Sequence, residues 1–435
     1  MYFIIETEEQ LKKLPVEGYC FVQLIPLNDN YHPNLTTASL LYYRTEDKGY
    51  VLPVNHSEAY PLEMPQIASF LLAHKKVYVL DAKFHSYFLD LPNYIDLNFV
   101  QLDQENDHKI QDCSTTLHRN FKHKLKDRDD INSLIPITKH YQQCECLFES
   151  VSKYIGLETN IEHQRQTVRA YKKVEEVGII VNREALLSAY QIKNPDYSLQ
   201  GETIYTSYNL YNLTGRPTNS FNNVNFLAIP KDKQHRECFV PRESYFLELD
   251  FDAYHLRIIA KLTRYKFPNP KESIHEYLGK QYFNKSTLTE AEYKEAKTIS
   301  FRQLYGGVES RYKIIPFLNS LSTYIEARWN EYTERGQIEL PTGRILKKHE
   351  EMTPAKLFNY IIQNEETRIN VGKLTKIHNL IEQEGYKSRI TLVTYDSFLL
   401  DFVVEDGKEV LVEIKRVLEE GGFVIKHKYG ESYHF

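Results

Sequence analysis

The stretch Tyr245–Leu262, YFLELDFDAYHLRIIAKL, constrains the fold more than any other. Tyr245, Leu247 and Leu249 alternate as a half-buried strand requires, and the alternation delivers Asp250 at its end. From Ala253 the apolar period lengthens. Tyr254, Ile258, Ile259 and Leu262 recur at helical spacing, with Arg257 on another face. A strand that runs directly into a helix calls for a mixed α and β architecture. An aspartate at that junction is either a metal-binding acid or an ordinary strand-end residue, and this stretch alone leaves both readings open.

Two later stretches bear on the choice. In residues 291–307, AEYKEAKTISFRQLYGG, the side chains Lys294, Lys297, Phe301 and Tyr305 lie at i, i+3, i+7 and i+11. At about 100° per residue they share a helix face roughly 80° wide, and Gly306-Gly307 ends the helix. Two cations at one end and two rings at the other suit a nucleoside triphosphate; an amphipathic helix with an aromatic core stripe is the alternative. Arg389–Val404, RITLVTYDSFLLDFVV, holds two β-rich apolar runs around Tyr395-Asp396-Ser397, which predicts a hairpin with Asp396 at its turn.

Length and charge set wider bounds. The 435 residues give room for two or three domains. A net charge of -5 and a pI near 6.4 carry no global basic signature, so nucleic-acid contacts would come from local patches. No apolar run approaches the ~20 residues of a membrane span, and the acidic start MYFIIETEEQ is unlike a signal peptide. Five cysteines form neither a disulfide framework nor a CxxC zinc pair. These features predict a cytoplasmic protein with no membrane partner.

Residues 1–160 read as a small α/β unit, with strands at Phe3–Ile5, Cys20–Ile25 and Lys76–Leu80 and a hairpin from Ala38–Tyr43 and Gly49–Val54. Helices are expected at Glu8–Leu14, Pro65–Ala73 and Ile135–Ile155, and the basic run within 114–130 reads as a solvated loop, with a backbone-phosphate patch as the alternative. This layout resembles the 3′–5′ proofreading exonuclease domain of family A DNA polymerases, an RNase H-like fold. That resemblance places Gln23, Ile25 and His85 where metal-binding carboxylates belong, and only Glu145, four residues after Tyr141, keeps part of a motif. It therefore implies a scaffold without nuclease activity.

Residues 161–435 resemble the polymerase part of the same family. Thr214-Gly215-Arg216 followed by Asn225–Pro230 is similar to its T-G-R and N-x-x-x-I-P segments. Lys297–Gly306, KTISFRQLYG, follows its motif B, K-x-I-N-F-x-x-x-Y-G, and begins 47 residues after Asp250. The family's arginine four residues before that lysine is missing: Tyr293 stands there, with Lys294 beside it as a point charge. Ile274-His275 matches an I-H pair whose histidine touches the β-phosphate. Asn359 and Gln363 match an N-x-P-x-Q element at the minor groove, and Tyr395-Asp396-Ser397 corresponds to V-H-D-E.

The resemblance implies an α+β multidomain chain: the exonuclease-type domain, then a right-hand polymerase with an antiparallel palm sheet (214–262 and 345–435), helical fingers (263–344) and a minimal thumb (182–213). It implies that Asp250 and Asp396, with the Phe251 carbonyl, hold two Mg²⁺ ions, with Mn²⁺ as a substitute. Lys297, Phe301, Tyr305, His275, Lys294 and His255 would bind the dNTP; Arg216, Arg236, Asn359, Gln363 and Tyr395 would bind primer–template DNA. A single-subunit RNA polymerase or primer-making enzyme is the alternative, and a non-catalytic DNA-binding subunit a second. The 32 residues from Asn182 to Leu213 leave little chain to grip a duplex, so a processivity partner is expected. Where the family has a sugar-selecting glutamate, this chain has His255, which predicts weaker exclusion of ribonucleotides.

Overall fold

The computed structural model describes residues 2–106, 116–125, 128–157, 160–269 and 272–435. The chain is mixed α and β with several sheets, and it forms two compact units. The first comprises Met1–Ser207 with Ser220–Val224; the second comprises Tyr208–Asn219 with Asn225–Phe435.

In the first unit the strands β1 (Phe3–Ile4), β2 (Tyr19–Pro26), β3 (Ala38–Arg44), β4 (Gly49–Pro53), β5 (Lys76–Val79) and β6 (Tyr94–Asp96) form one sheet in the order β1-β4-β3-β2-β5-β6. The β2–β3 and β3–β4 pairs are antiparallel; β2–β5, β5–β6 and β1–β4 are parallel. Helix Ile137–Val151 covers one face, burying Cys144, Phe148 and Val151 against Phe21, Tyr42 and Tyr78. The apolar residues of β3 run without alternation, as a strand covered on both faces requires.

His85 is fully buried in this unit and both its ring nitrogens meet backbone. The Leu24 amide donates to Nε2 at 3.0 Å, which leaves Nδ1 to donate to the Asp81 carbonyl at 3.0 Å. Burial pushes its pKa down, so the ring is a neutral tether between β2 and the helix Ala82–Ser86. Gln23 donates to the Leu24 carbonyl, and Glu145 accepts from the Tyr42 hydroxyl at 2.7 Å. The basic run is not a loop where it is described: Thr116–Lys124 is a helix. The stretch TLHRNFKHK contains no glycine or proline and several good helix formers, so local propensity outweighs its charge. Cys113, Lys126 and Asp127 lie outside the described residues; Cys20, Cys144, Cys146 and Cys238 are free thiols.

The second unit centres on an antiparallel sheet ordered Arg389–Thr394, Ser397–Phe402, Tyr245–Phe251, Ile425–Gly430. In this register Asp250 faces Ser397 on one side and Lys426 on the other, and Glu248 faces Lys428. Helices Tyr254–Leu262, Ile274–Phe283, Glu290–Gly306, Pro316–Arg335, Pro354–Glu384 and Glu409–Glu419 complete the unit. Helix Pro354–Glu384 keeps its buried stripe into its last turns through Ile377 and Ile381. It stops at Gly385, whose φ of 69° suits a residue without a Cβ. Among the described residues no helix is long and apolar enough to cross a membrane.

Candidate active site

Strand Tyr245–Phe251 turns abruptly into helix Tyr254–Leu262 at Ala253, which adopts a left-handed φ of 52°. That turn leaves Asp250 lining a cleft of about 200 Å³. Asp396 enters the same cleft from the neighbouring hairpin, where Thr394 pairs with Ser397 across the two loop residues Tyr395 and Asp396. The Phe251 amide donates to the Asp396 carbonyl at 2.8 Å and locks the two segments together.

Tyr395 sits at φ 49°, a costly position for a non-glycine residue. Two contacts hold it. Asn370 donates to its carbonyl at 2.7 Å while accepting from the Tyr254 hydroxyl, also at 2.7 Å. The Arg216 guanidinium lies 3.4 Å above its ring centre. The Asp396 turn is thus supported from a second helix and from the Thr214–Arg216 loop.

Burial, then the nearby charges of Asp396 and Glu248, push the Asp250 carboxyl up to about 6, and Lys426 and Lys428 moderate the shift. Asp396 is also raised, by burial and then by Glu366, against the backbone bond and Arg216. Two such carboxylates on adjacent segments are poorly accommodated as bare anions. Their donor set is all oxygen, which suits a hard divalent ion such as magnesium. Among the described residues no group of three or more His, Cys, Asp or Glu side chains is placed to hold a metal. Magnesium does not need one, since it commonly takes one or two carboxylates and fills its remaining positions with water and phosphate oxygens. The residues fit the ion.

Helix Glu290–Gly306 lines the opposite wall with Lys297, Phe301 and Tyr305, and helix Ile274–Phe283 contributes His275. Phe301 and Tyr305 stack with ring centres 6.2 Å apart and planes 11° from parallel; both rings remain well exposed. Burial, then Lys297, lowers His275 to about 4, so it is a neutral imidazole at physiological pH.

His255 joins three elements. Its Nδ1 lies 2.5 Å from the Tyr305 hydroxyl and its Nε2 lies 2.9 Å from Glu366 on helix Pro354–Glu384. Glu366 also accepts from Arg216 Nη2 at 3.0 Å. Paired with that cation, Glu366 is an acceptor, so His255 donates from Nε2, and in the neutral ring its Nδ1 accepts the Tyr305 hydroxyl proton.

Of the residues singled out in the sequence, the cleft brings together Arg216, Asp250, Phe251, His255, His275, Lys297, Phe301, Tyr305 and Asp396. Tyr395 stands behind them under Arg216. Lys294 is outside the cleft, exposed and paired with Glu290 one turn earlier. Arg236 is also outside, bonded to the Pro230 carbonyl and lying over Tyr433. Asn359 donates to the Tyr305 carbonyl at 3.3 Å, and Gln363, one turn further along, does not line the cleft. Sequence reasoning missed Asp252, Lys426 and Glu366. For Glu366 a signal existed: Phe358, Ile362, Glu366 and Asn370 recur every four residues, which puts two polar residues on the helix's buried stripe.

No protein-family model matches the chain. In fold, it is similar to a solved structure described as the POL domain of Pol1 from M. smegmatis in complex with DNA primer-template and dNTP. The TM-score is 0.70 at 13% sequence identity, over 100% of this chain and 99% of that one. At that identity the likeness is one of fold: this chain has the fold of a DNA polymerase POL domain.

Proposed function

We propose that this protein is a template-directed DNA polymerase that adds dNTPs to a primer 3′-OH. The observation that carries the reading is the cleft itself: Asp250 and Asp396 converge in it opposite Lys297, His275, Phe301 and Tyr305, on a chain with a polymerase fold. Asp250 and Asp396, with the Phe251 carbonyl, would hold two Mg²⁺ ions. Such ions lower the pKa of the primer hydroxyl and offset charge on the transferring phosphoryl group.

The chain's own groups supply the rest. Lys297 offsets triphosphate charge, and neutral His275 offers one N–H to a phosphate oxygen without adding a cation. Phe301 and Tyr305 present ring faces to base and sugar. Arg216 braces Tyr395, and through it Asp396. Residues 214–262 and 345–435 then act as palm, 263–344 as fingers, and 182–213 as a reduced thumb. Primer extension with dNTPs, with rNTPs, and with chelator tests the reading; failure to extend with dNTPs and Mg²⁺ contradicts it.

We assign residues 1–160 a scaffold role without proofreading, since His85 gives both ring nitrogens to backbone bonds. The purified chain is expected to leave a mismatched 3′ nucleotide in place in Mg²⁺. Metal-dependent excision that survives Asp250→Asn and is lost on changing Glu145 overturns the assignment.

Sugar selection is assigned to the relay Glu366–His255–Tyr305. Glu366 fixes the imidazole so that it accepts the Tyr305 proton and holds that ring against the sugar. Glu366→Gln releases the tautomer, and the ratio of kcat/KM for dNTP over rNTP is expected to fall about tenfold, within the range typical of a small group. An unchanged ratio removes Glu366 from selection.

A further inference from the structure

The cleft draws cations from three places: Arg216, Lys297 and Lys426. The Arg216 guanidinium is held by Glu366 and Tyr395. Lys297 stands on the far wall, on helix Glu290–Gly306, where Tyr293 and the outward-facing Lys294 add no second cation. Lys426 comes from strand Ile425–Gly430, at the edge of the sheet, directly across from Asp250.

Its present partner is Asp252, with which its ammonium group forms an ion pair. Asp252 is only 9% exposed at its side chain, whereas Lys426 is 63% exposed. Arg257 holds the same aspartate independently: its Nη2 lies 3.3 Å from the carboxylate and its Nε donates to the Asp252 carbonyl at 2.8 Å. Asp252 therefore has two cations and stays paired if one leaves. Lys426 is the one free to leave, because it is on a long solvated stem. Two residues on, Lys428 faces Glu248 from the same strand, and Lys415 lines the adjoining surface together with Glu248 and Asp250.

We propose that Lys426 is a phosphate-binding residue of the nucleotide site. It exchanges Asp252 for the outer phosphates of the incoming nucleoside triphosphate and then contacts the departing pyrophosphate. The inference rests on the polymerase reading. It supplies the second phosphate cation from the rigid edge of the sheet rather than from the helix that carries Lys297.

The test is calorimetric titration of dATP, and separately of inorganic pyrophosphate, into protein bound to a primer–template with a templating thymine. The primer is 3′-dideoxy-terminated, Mg²⁺ is present, and extension is assayed in parallel on a normal primer. Lys426→Met is expected to weaken both ligands about tenfold, the scale of one charge-assisted contact, and to raise the KM for dATP with kcat little changed. Lys426→Arg is expected to restore most of the binding. Primer–template affinity and the thermal midpoint should stay near wild type, since Asp252 keeps Arg257. Wild-type affinity for both ligands in Lys426→Met overturns the proposal, as does a loss seen in Lys294→Met instead. If wild type binds dATP but does not extend the primer, the polymerase reading fails, and the Lys426 contact stands only if Lys426→Met weakens that binding. If wild type binds neither ligand, both fall.

Discussion

Asp250→Asn and Asp396→Asn are each expected to cut primer extension by about a thousandfold or more, because each removes one of the two carboxylates assigned to the metal ions. Primer–template binding should change little. Extension within tenfold of wild type in either variant removes that carboxylate from the mechanism. The same substitution has an opposite effect on the metal-free fold. Burial and the neighbouring Asp396 push Asp250 up to about 6, so the folded chain holds that proton more tightly than the unfolded chain, whose value is near 4. Stability from the protonated form is complete below about pH 4 and is lost as the pH rises through 6. At pH 7, after allowance for solvent screening, the ionised group costs about 1 kcal/mol. Asp250→Asn should therefore raise the thermal midpoint at pH 7 without Mg²⁺ and give no advantage at pH 4. A lower midpoint at pH 7 would show that the carboxylate is not under electrostatic strain.

Lys83→Met is expected to destabilise the first unit by about 3–5 kcal/mol, the usual result of stranding a buried charge. Lys83 Nζ lies 2.5 Å from Glu175, with side chains 6% and 1% exposed, and the Tyr87 hydroxyl donates to the other carboxylate oxygen at 2.5 Å. The pair pins helix Ile161–Val177 to helix Ala82–Ser86. Glu175→Gln strands Lys83 in turn and should cost a similar amount. The double variant Lys83→Met/Glu175→Gln leaves no uncompensated charge and should recover a substantial part of the loss. Urea unfolding of the four proteins reads this directly. Single-variant losses below 1 kcal/mol, or simple additivity in the double, would mean that the pair is not coupled as its burial demands.

Local periodicity carried much of the cleft into view. The alternation ending at Asp250, the hairpin around Asp396 and the helix face shared by Lys297, Phe301 and Tyr305 are all short-range patterns, and the structure builds a strand, a hairpin and a helix there. Lys294 falls inside the same 80° face, between Phe301 and Tyr305 in angle, but it stands one turn further along the helix from the cleft and Glu290 captures it. Arg216 was legible as a conspicuous cation; its pairing with Glu366 was not, because that contact spans 150 residues. The same applies to Lys426, whose place beside Asp250 depends on the register of the final strand. His85 and the helix Thr116–Lys124 show the two other limits: a histidine satisfied by distant backbone, and a charged run whose helix propensity prevails.

The most direct test of the central claim is incorporation of a single nucleotide opposite each of the four templating bases, with one dNTP supplied at a time in Mg²⁺. The account predicts that wild-type protein extends the primer only with the dNTP complementary to the template, and that Asp250→Asn does so with none. Incorporation indifferent to the template base, no incorporation by wild type, or full activity in Asp250→Asn would contradict it.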